Sequence, residues 1–301
     1  MTLPDIQSHI PDIRVNLSRA GISGIKRYVP IKRDGSTHYA RITFNIYVDV
    51  PSHRKGIDMS RIPESITEIL ENKVLEAQTT KCHGIEYLCK DLASSLLDKF
   101  SAYSTSCEIE AIAEIAFFDI TPVSRKKTQR ELSLLFFIKA YHSERVTYEK
   151  KLGLKTVGFS ACPCAQELII ADSKIDKAIL HQIPIASHNQ KANISVLFDL
   201  KTHDVDIELF DILKEVDSVV PPVLEMLKRP DELDTVKRAH LHPYFVEDLV
   251  RELAKKIAYR FKDLPHDTQI TIRVDNDESI HNHYATAEMS QELSVLIEQC
   301  E

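Results

Sequence analysis

Residues 40–50, ARITFNIYVDV, alternate without a break. Ala40, Ile42, Phe44, Ile46, Val48 and Val50 fall on one side, and Arg41, Thr43, Asn45 and Asp49 on the other. A period of two puts every second side chain on one face of a pleated strand, so this segment is a half-buried strand and cannot be an amphipathic helix. The same alternation returns in NISVLFDL, through Ile194, Val196, Phe198 and Leu200, and in TQITIRVD, through Ile270, Ile272 and Val274. VNLSRAGISGIKRYVPI is β-rich and leads into the turn-like Arg33-Asp34-Gly35-Ser36, which predicts a hairpin with the 40–50 strand. CEIEAIAEIAFFDI, ELSLLFFIKAYH and KLGLKTVGFSAC read as further strands.

The strands are interleaved with stripes of helical period. Ile66, Ile69, Leu70 and Val74 form one, and Ile85, Leu88, Cys89, Leu92 and Leu96 a second. IELFDILKEV and YFVEDLVRELAKKIAYRF follow in the second half, the latter with Val246, Leu249, Val250, Leu253 and Ile257 as its stripe. Strand pair, helix pair, strand pair, twice over, predicts an α+β chain of two tandem modules, each an antiparallel sheet with helices packed on one face. With no Gly/Ser-rich linker to separate them, the modules are set at 1–150 and 151–301.

The 301 residues, 43% of them hydrophobic, suffice for full cores. No apolar run reaches the roughly 18 residues that span a bilayer, and MTLPDIQSHIPDIRVNLSRAG lacks a basic stretch leading into an apolar core. The expectation is a cytoplasmic protein with no membrane partner, whose six cysteines are free thiols or ligands rather than disulfides. A net charge of -7 argues against a general nucleic-acid surface, which needs clustered cations to displace counterions. The local basic clusters, His53-Arg54-Lys55 with Arg61, Arg125-Lys126-Lys127 with Arg130, and Lys228-Arg229, read as solvated turns or helix faces.

Several residues could carry chemistry. Cys162 and Cys164 flank a proline in GFSACPCAQE, a spacing that is not by itself a zinc-finger signature. His188 lies among polar residues just before a strand, and His281 and His283 stand two apart after one, on a common face if that strand continues. Glu232 follows the helix-breaking Pro230, and Glu247 lies near the start of the last long helix, where a carboxylate also complements the helix dipole. A thiol, imidazoles and carboxylates together suit a mononuclear Zn, Fe(II) or Mn site, and inert strand-end or helix-end residues are the plain alternative.

In LPDIQ (3–7), VPSHRKGIDMSR (50–61), SACPCAQE (160–167), ASHNQ (186–190), LKRPDE (227–232), HPYFVED (242–248) and ESIHNH (278–283), the chain resembles the type IB GTP cyclohydrolases, most closely their archaeal branch in the methanopterin pathway. The resemblance implies the tunnelling fold in two tandem modules, GTP as substrate, and a homo-oligomer, dimer or tetramer, with active sites at subunit interfaces. It makes Cys162, His188 and Glu232 ligands of one divalent metal, Fe(II) with Mn or Zn as alternatives. Glu247 anchors the guanine, His281 transfers protons with His283 beside it, and Cys164 is supporting. Arg54, Lys55 and Arg61, with Lys191, are the candidates for the phosphate side. The implied product is 7,8-dihydroneopterin 2',3'-cyclic phosphate. The alternatives are a folate-type enzyme releasing the triphosphate, a related enzyme using Cys162 or Cys164 as a covalent nucleophile, and a non-catalytic purine-binding protein. Three positions depart from the family pattern: Asp58 stands for its usual histidine, Lys191 for its usual arginine, and Pro221-Pro222 predicts a kinked or split helix.

Overall fold

The computed structural model describes residues 4–33, 36–74, 83–142, 145–173 and 183–300. Within them the element order is β1 (Leu17–Arg33), β2 (Ser36–Val50), α1 (Arg61–Val74), α2 (His83–Phe100), β3 (Ser106–Ile120), β4 (Lys127–Tyr141), β5 (Thr147–Ala161), α3 (Pro163–Ser173), β6 (Asn189–Lys201), α4 (Leu209–Val219), α5 (Arg229–Leu241), α6 (Val246–Arg260), β7 (Gln269–Glu278), β8 (Tyr284–Glu292) and α7 (Leu293–Cys300). The strands are hydrogen-bonded to their neighbours in sequence order, β1 to β8. The chain forms two compact units, one of Met1–Ile115, Leu134–Leu152 and Leu200–Glu208, the other of Ala116–Ser133, Gly153–Asp199 and Leu209–Glu301. Residue 150, where a joint was expected, lies inside β5.

In the first unit β1 and β2 form the expected antiparallel hairpin, with Arg33 opposite Ser36, and β3 pairs antiparallel on the other side of β2. Asp34 and Gly35 of the predicted turn lie outside the described residues. The alternating face of β2 is the core: Ala40, Ile42, Phe44, Ile46, Val48 and Val50 are all buried. α2 buries Ile85, Leu88, Cys89, Leu92 and Leu96, the stripe read from its sequence, and packs with α1. In α1 the stripe is rotated: Ile62 and Ile66 are buried while Ile69 and Leu70 are half-buried. Lys150, 1% exposed, reaches the equally buried Glu86 at 2.8 Å, and Lys90 bridges Glu86 and Asp204. A buried ammonium is tolerable only when paired in this way.

The second unit is built around β6 and β7, antiparallel, with β8 paired to the far side of β7. Ile194, Val196, Phe198, Ile270, Ile272 and Val274 are buried, and α6 presses Val246, Leu249, Val250, Leu253 and Ile257 into the same core. Pro221-Pro222 ends the helical run: α4 stops at Val219 and α5 begins at Arg229. The intervening chain lies along β5 instead. Phe159 donates its N–H to the Pro221 carbonyl at 2.8 Å and Val223 donates to Val157 at 3.2 Å. The approach is close enough that a Cβ on Gly158 would meet Val220 Cγ2 at 2.5 Å.

Arg130 overturns one sequence expectation. It is buried, not solvated. Its guanidinium forks onto Asp217 at 2.6 and 2.7 Å and reaches Asp119 and Thr156 at 3.2 Å each. Arg130 falls on the inward side of β4, where a guanidinium with two carboxylates and a hydroxyl within reach can satisfy its donors.

Candidate active site

The two halves of the candidate site are joined through the backbone. β5 ends at Ala161, and Pro163 opens α3, a first-turn position that suits its fixed φ and missing N–H. Cys162 is the single residue between strand and helix, half-buried, while Cys164 is exposed on the helix. The Cys162 N–H donates to the His188 carbonyl at 3.2 Å, and Ser187 Oγ donates back to the Cys162 carbonyl at 2.6 Å. Residues 162 and 188, 26 positions apart in sequence, are thus joined backbone to backbone. Gln166, buried on α3, reinforces this frame by donating to the carbonyls of Ile185 at 3.0 Å and His240 at 2.9 Å.

The β6–β7 register supplies the remaining imidazoles. Gln190 stands opposite Glu278, so the residues just before β6 meet those just after β7. Ser279 donates to the Asn189 carbonyl at 3.3 Å, and the chain turns so that the His281 N–H caps the Glu278 carbonyl at 3.1 Å. The strand does not continue through ESIHNH. It turns, yet His281 and His283 still come together, their rings stacked 5.0 Å apart at 20°. The His188 ring lies edge-on to His281 with centroids 6.4 Å apart. Glu278, to which the sequence reading gave no role, is 3.7 Å from His281 Nε2 and largely covered. That is ion-pair distance, too long for a hydrogen bond.

His188 Nδ1 is buried and has no hydrogen-bond partner. A buried imidazole nitrogen without a hydrogen-bond partner is what a metal-binding histidine leaves vacant. The donor set of sulfur and imidazole nitrogen fits a transition-metal ion, with room for an oxygen ligand.

The carboxylates stand apart from this cluster. Glu232 and Glu247 are exposed, in the first turns of α5 and α6. Among the described residues no three His, Cys, Asp or Glu side chains are grouped so as to hold a metal ion. The start of α5 is pinned by Asp231, a fully buried carboxylate that sequence reasoning missed. Asp231 accepts hydrogen bonds from the N–H groups of Val123, Ser124 and Lys228 at 2.8–3.0 Å and from Ser124 Oγ at 2.5 Å. Burial alone would raise its pKa, but these four donors outweigh it and hold the carboxyl well below the usual range. The signal was present in the sequence: a proline in the first helical turn with an acid at the third position marks a helix start.

In the first unit, Arg54 stacks on Tyr103 at 3.7 Å, donates Nε–H to the Gly56 carbonyl at 2.8 Å and lies 3.3 Å from Asp58. Arg61 is also 3.3 Å from Asp58. Asp58 therefore engages two of the four cations expected on the phosphate side, while Lys55 is exposed. Lys191 is exposed on β6, opposite Asp277. The five described cysteines are free thiols, and burial pushes Cys107 up to about 12. No described helix is long and apolar enough to cross a membrane.

Residues 3–287 match the sequence profile described as type I GTP cyclohydrolase folE2. The chain belongs to that family. Among curated relatives of this cyclohydrolase, GTP cyclohydrolase MptA of Methanobrevibacter smithii is 34% identical over 310 residues, covering 99% of this chain and 98% of the relative. GTP cyclohydrolase MptA of Methanosarcina mazei is 37% identical over 303 residues, covering 95% and 93%. Solved structures share the fold at far lower identity. Uricase from Arthrobacter globiformis superposes with a TM-score of 0.51 at 11% identity over 91% of this chain and 93% of that one. Bacillus sp. TB-90 urate oxidase gives 0.54 at 12%, over 92% and 100%. The cyclohydrolase thus has the tandem tunnelling-fold, α+β architecture, of which the α+β class was read from its strands and helices and the tunnelling fold from its resemblance to the family.

Proposed function

We propose that this chain is a metal-dependent GTP cyclohydrolase that converts GTP to 7,8-dihydroneopterin 2',3'-cyclic phosphate with release of formate and diphosphate, the first step of tetrahydromethanopterin biosynthesis. The observation that carries this reading is the near full-length match to GTP cyclohydrolases named MptA, with the His188, His281 and His283 rings grouped and the Cys162 backbone bonded to His188. Cys162, His188 and Glu232 would hold one divalent ion, Fe(II) first, with Mn or Zn as substitutes. Lewis acidity is what such an ion supplies when bound, bringing the pKa of water toward neutrality for attack at guanine carbon 8. Glu247 accepts hydrogen bonds from the guanine N–H edge, a donor pair that adenine does not offer. His281 moves protons at Nε2 during ring opening and reclosure, with His283 stacked on its ring and the Glu278 carboxylate at ion-pair distance. Arg54, Lys55, Arg61 and Lys191 serve the phosphates. A homo-oligomer, dimer or tetramer, working in the cytoplasm completes the sites at subunit interfaces, with 1–150 and 151–301 as its modules.

The test is anaerobic incubation of metal-stripped protein with GTP, with and without Fe(II), Mn or Zn, scoring formate and product mass together. Metal-dependent formate with a cyclic monophosphate is expected. A triphosphate product would move the chain to the folate-type branch, and GTP binding without formate under any metal would refute catalysis. Cys162→Ala should lose metal and turnover together, whereas His281→Ala should keep the metal and lose turnover. Full metal content and rate in the first variant would sink the ligand assignment.

A further inference from the structure

A cavity of about 330 Å³ lies within the second unit, walled by the end of β5, the chain that follows α4, the last turn of α5 and one face of α6. None of its residues has a role in the reaction proposed above. Its wall carries two fixed cations, Arg238 and Lys256, a single carboxylate, Glu252, and the polar side chains of Ser160, His242, Tyr244 and Ser218, the last already donating to the Glu215 carbonyl.

Ser160 is the decisive residue. It is 1% exposed, lines the cavity, and its Oγ has no hydrogen-bond partner. A buried hydroxyl without a partner costs stability, and native folds keep one only where something else satisfies it. The surrounding groups define what that something is. Arg238 gives one N–H to the Asp217 carbonyl at 3.3 Å, which leaves further donors on its guanidinium. Burial and, after it, the charge of Glu252 push the Tyr244 phenol up, so it keeps its proton and can donate. Lys256 lies one turn beyond Glu252 on α6, and the cations outnumber the carboxylate.

Convergent donors of positive or neutral charge select an anion with many acceptor sites. A phosphate group offers four oxygens in a tetrahedral array, more than the two coplanar oxygens of a carboxylate, and the volume admits it with a small organic remainder. We propose that this cavity binds a small phosphate-class oxyanion, held by Arg238 and Lys256 and hydrogen-bonded by Ser160 and Tyr244.

The experiment titrates inorganic phosphate and, separately, pyrophosphate into the full-length protein by calorimetry, with ionic strength matched by chloride. Wild type, Lys256→Ala and Ser160→Ala are compared, and the thermal midpoint of each is recorded in phosphate-free buffer. The wild type should show saturable binding of one anion per chain, weakened about tenfold or more in Lys256→Ala. Ser160→Ala should also weaken binding, yet melt no lower than wild type without phosphate, because it removes an unpartnered hydroxyl. Preference for phosphate would identify a single oxyanion subsite, and preference for pyrophosphate a diphosphate-bearing ligand. Absence of saturable binding by either anion at millimolar concentration would overturn the proposal. So would binding that both variants leave unchanged, since the anion would then sit elsewhere on the protein.

Discussion

Replacing Arg130 by methionine tests the buried charge cluster of the second unit. The guanidinium, 2% exposed, makes four hydrogen bonds, two of them to Asp217. Arg130→Met keeps the bulk of the side chain and leaves Asp217 without its counter-charge. Removing one partner of a buried pair costs about 3–5 kcal/mol, and because Asp217 retains 28% exposure the lower end, about 3 kcal/mol, is the expected loss. For 301 residues, at about 2.1 cal/mol/K of unfolding entropy per residue, that corresponds to a fall in Tm of about 5 °C. Adding Asp217→Leu should recover most of the loss, since an apolar pair replaces an ion pair at little net cost. The pH dependence follows from the carboxyl. Burial, only partly offset by Arg130, already raises the Asp217 pKa, and without the fork it climbs further. A carboxyl whose folded pKa lies above the unfolded value of about 3.9 loses stability as pH rises from one to the other. The deficit of Arg130→Met should therefore be small at acid pH, where Asp217 is protonated in both states, and full at neutral pH. Urea unfolding of the three proteins at both pH values measures it. A deficit below about 1 kcal/mol at neutral pH, an equal deficit at both, or no recovery in the double variant would refute the reasoning.

Asp231→Ala frees the start of α5 from the 123–124 turn, so turnover should fall more than tenfold while the chain stays folded; hydrogen exchange at Val123, Ser124 and Lys228 should rise together. Unchanged exchange would show that the carboxylate does not anchor the helix. Asp49 gives the opposite pH sign to Asp217: burial would raise its pKa, but hydrogen bonds from Ser104, Ser106 and Thr105 outweigh it and lower the folded value. Its contribution is present above about pH 4 and lost as pH falls through the depressed folded pKa, so Asp49→Asn should flatten the acid limb of the stability curve. An acid limb as steep as that of wild type would contradict this. Gly158→Ala drives a Cβ to 2.5 Å from Val220 Cγ2, an overpacking worth about 1–3 kcal/mol, which Val220→Ala should relieve in the double variant. Equal melting of single and double variants would count against the contact.

The elements visible in sequence were those whose burial is one-sided. β2, β6 and β7 keep their alternation because one face meets a core and the other does not, and α2 and α6 show their stripes for the same reason. Arg130 was misjudged because a buried ion pair is invisible until its partners are known, and Asp119 and Asp217 lie 11 and 87 positions away. The stripe of α1 was misplaced because Ile62, at its second residue, takes the core position that Ile69 and Leu70 were assigned. At the site, the segments SACPC and HNQ are brought together by hydrogen bonds between stretches far apart in sequence, which no local pattern reveals. A common face for His281 and His283 was conditional on the strand continuing; it ends instead, and a turn achieves the stacking. Glu278 and Asp231 were hidden because their importance lies in what they touch.

The two bonds between Cys162 and the 187–188 segment fasten the chain at the root of everything that lies between them. Closing a chain segment costs only about 0.6 kcal/mol more for each doubling of its length, so two bonds at fixed ends hold residues 162 and 187–188 together almost regardless of how much sequence separates them.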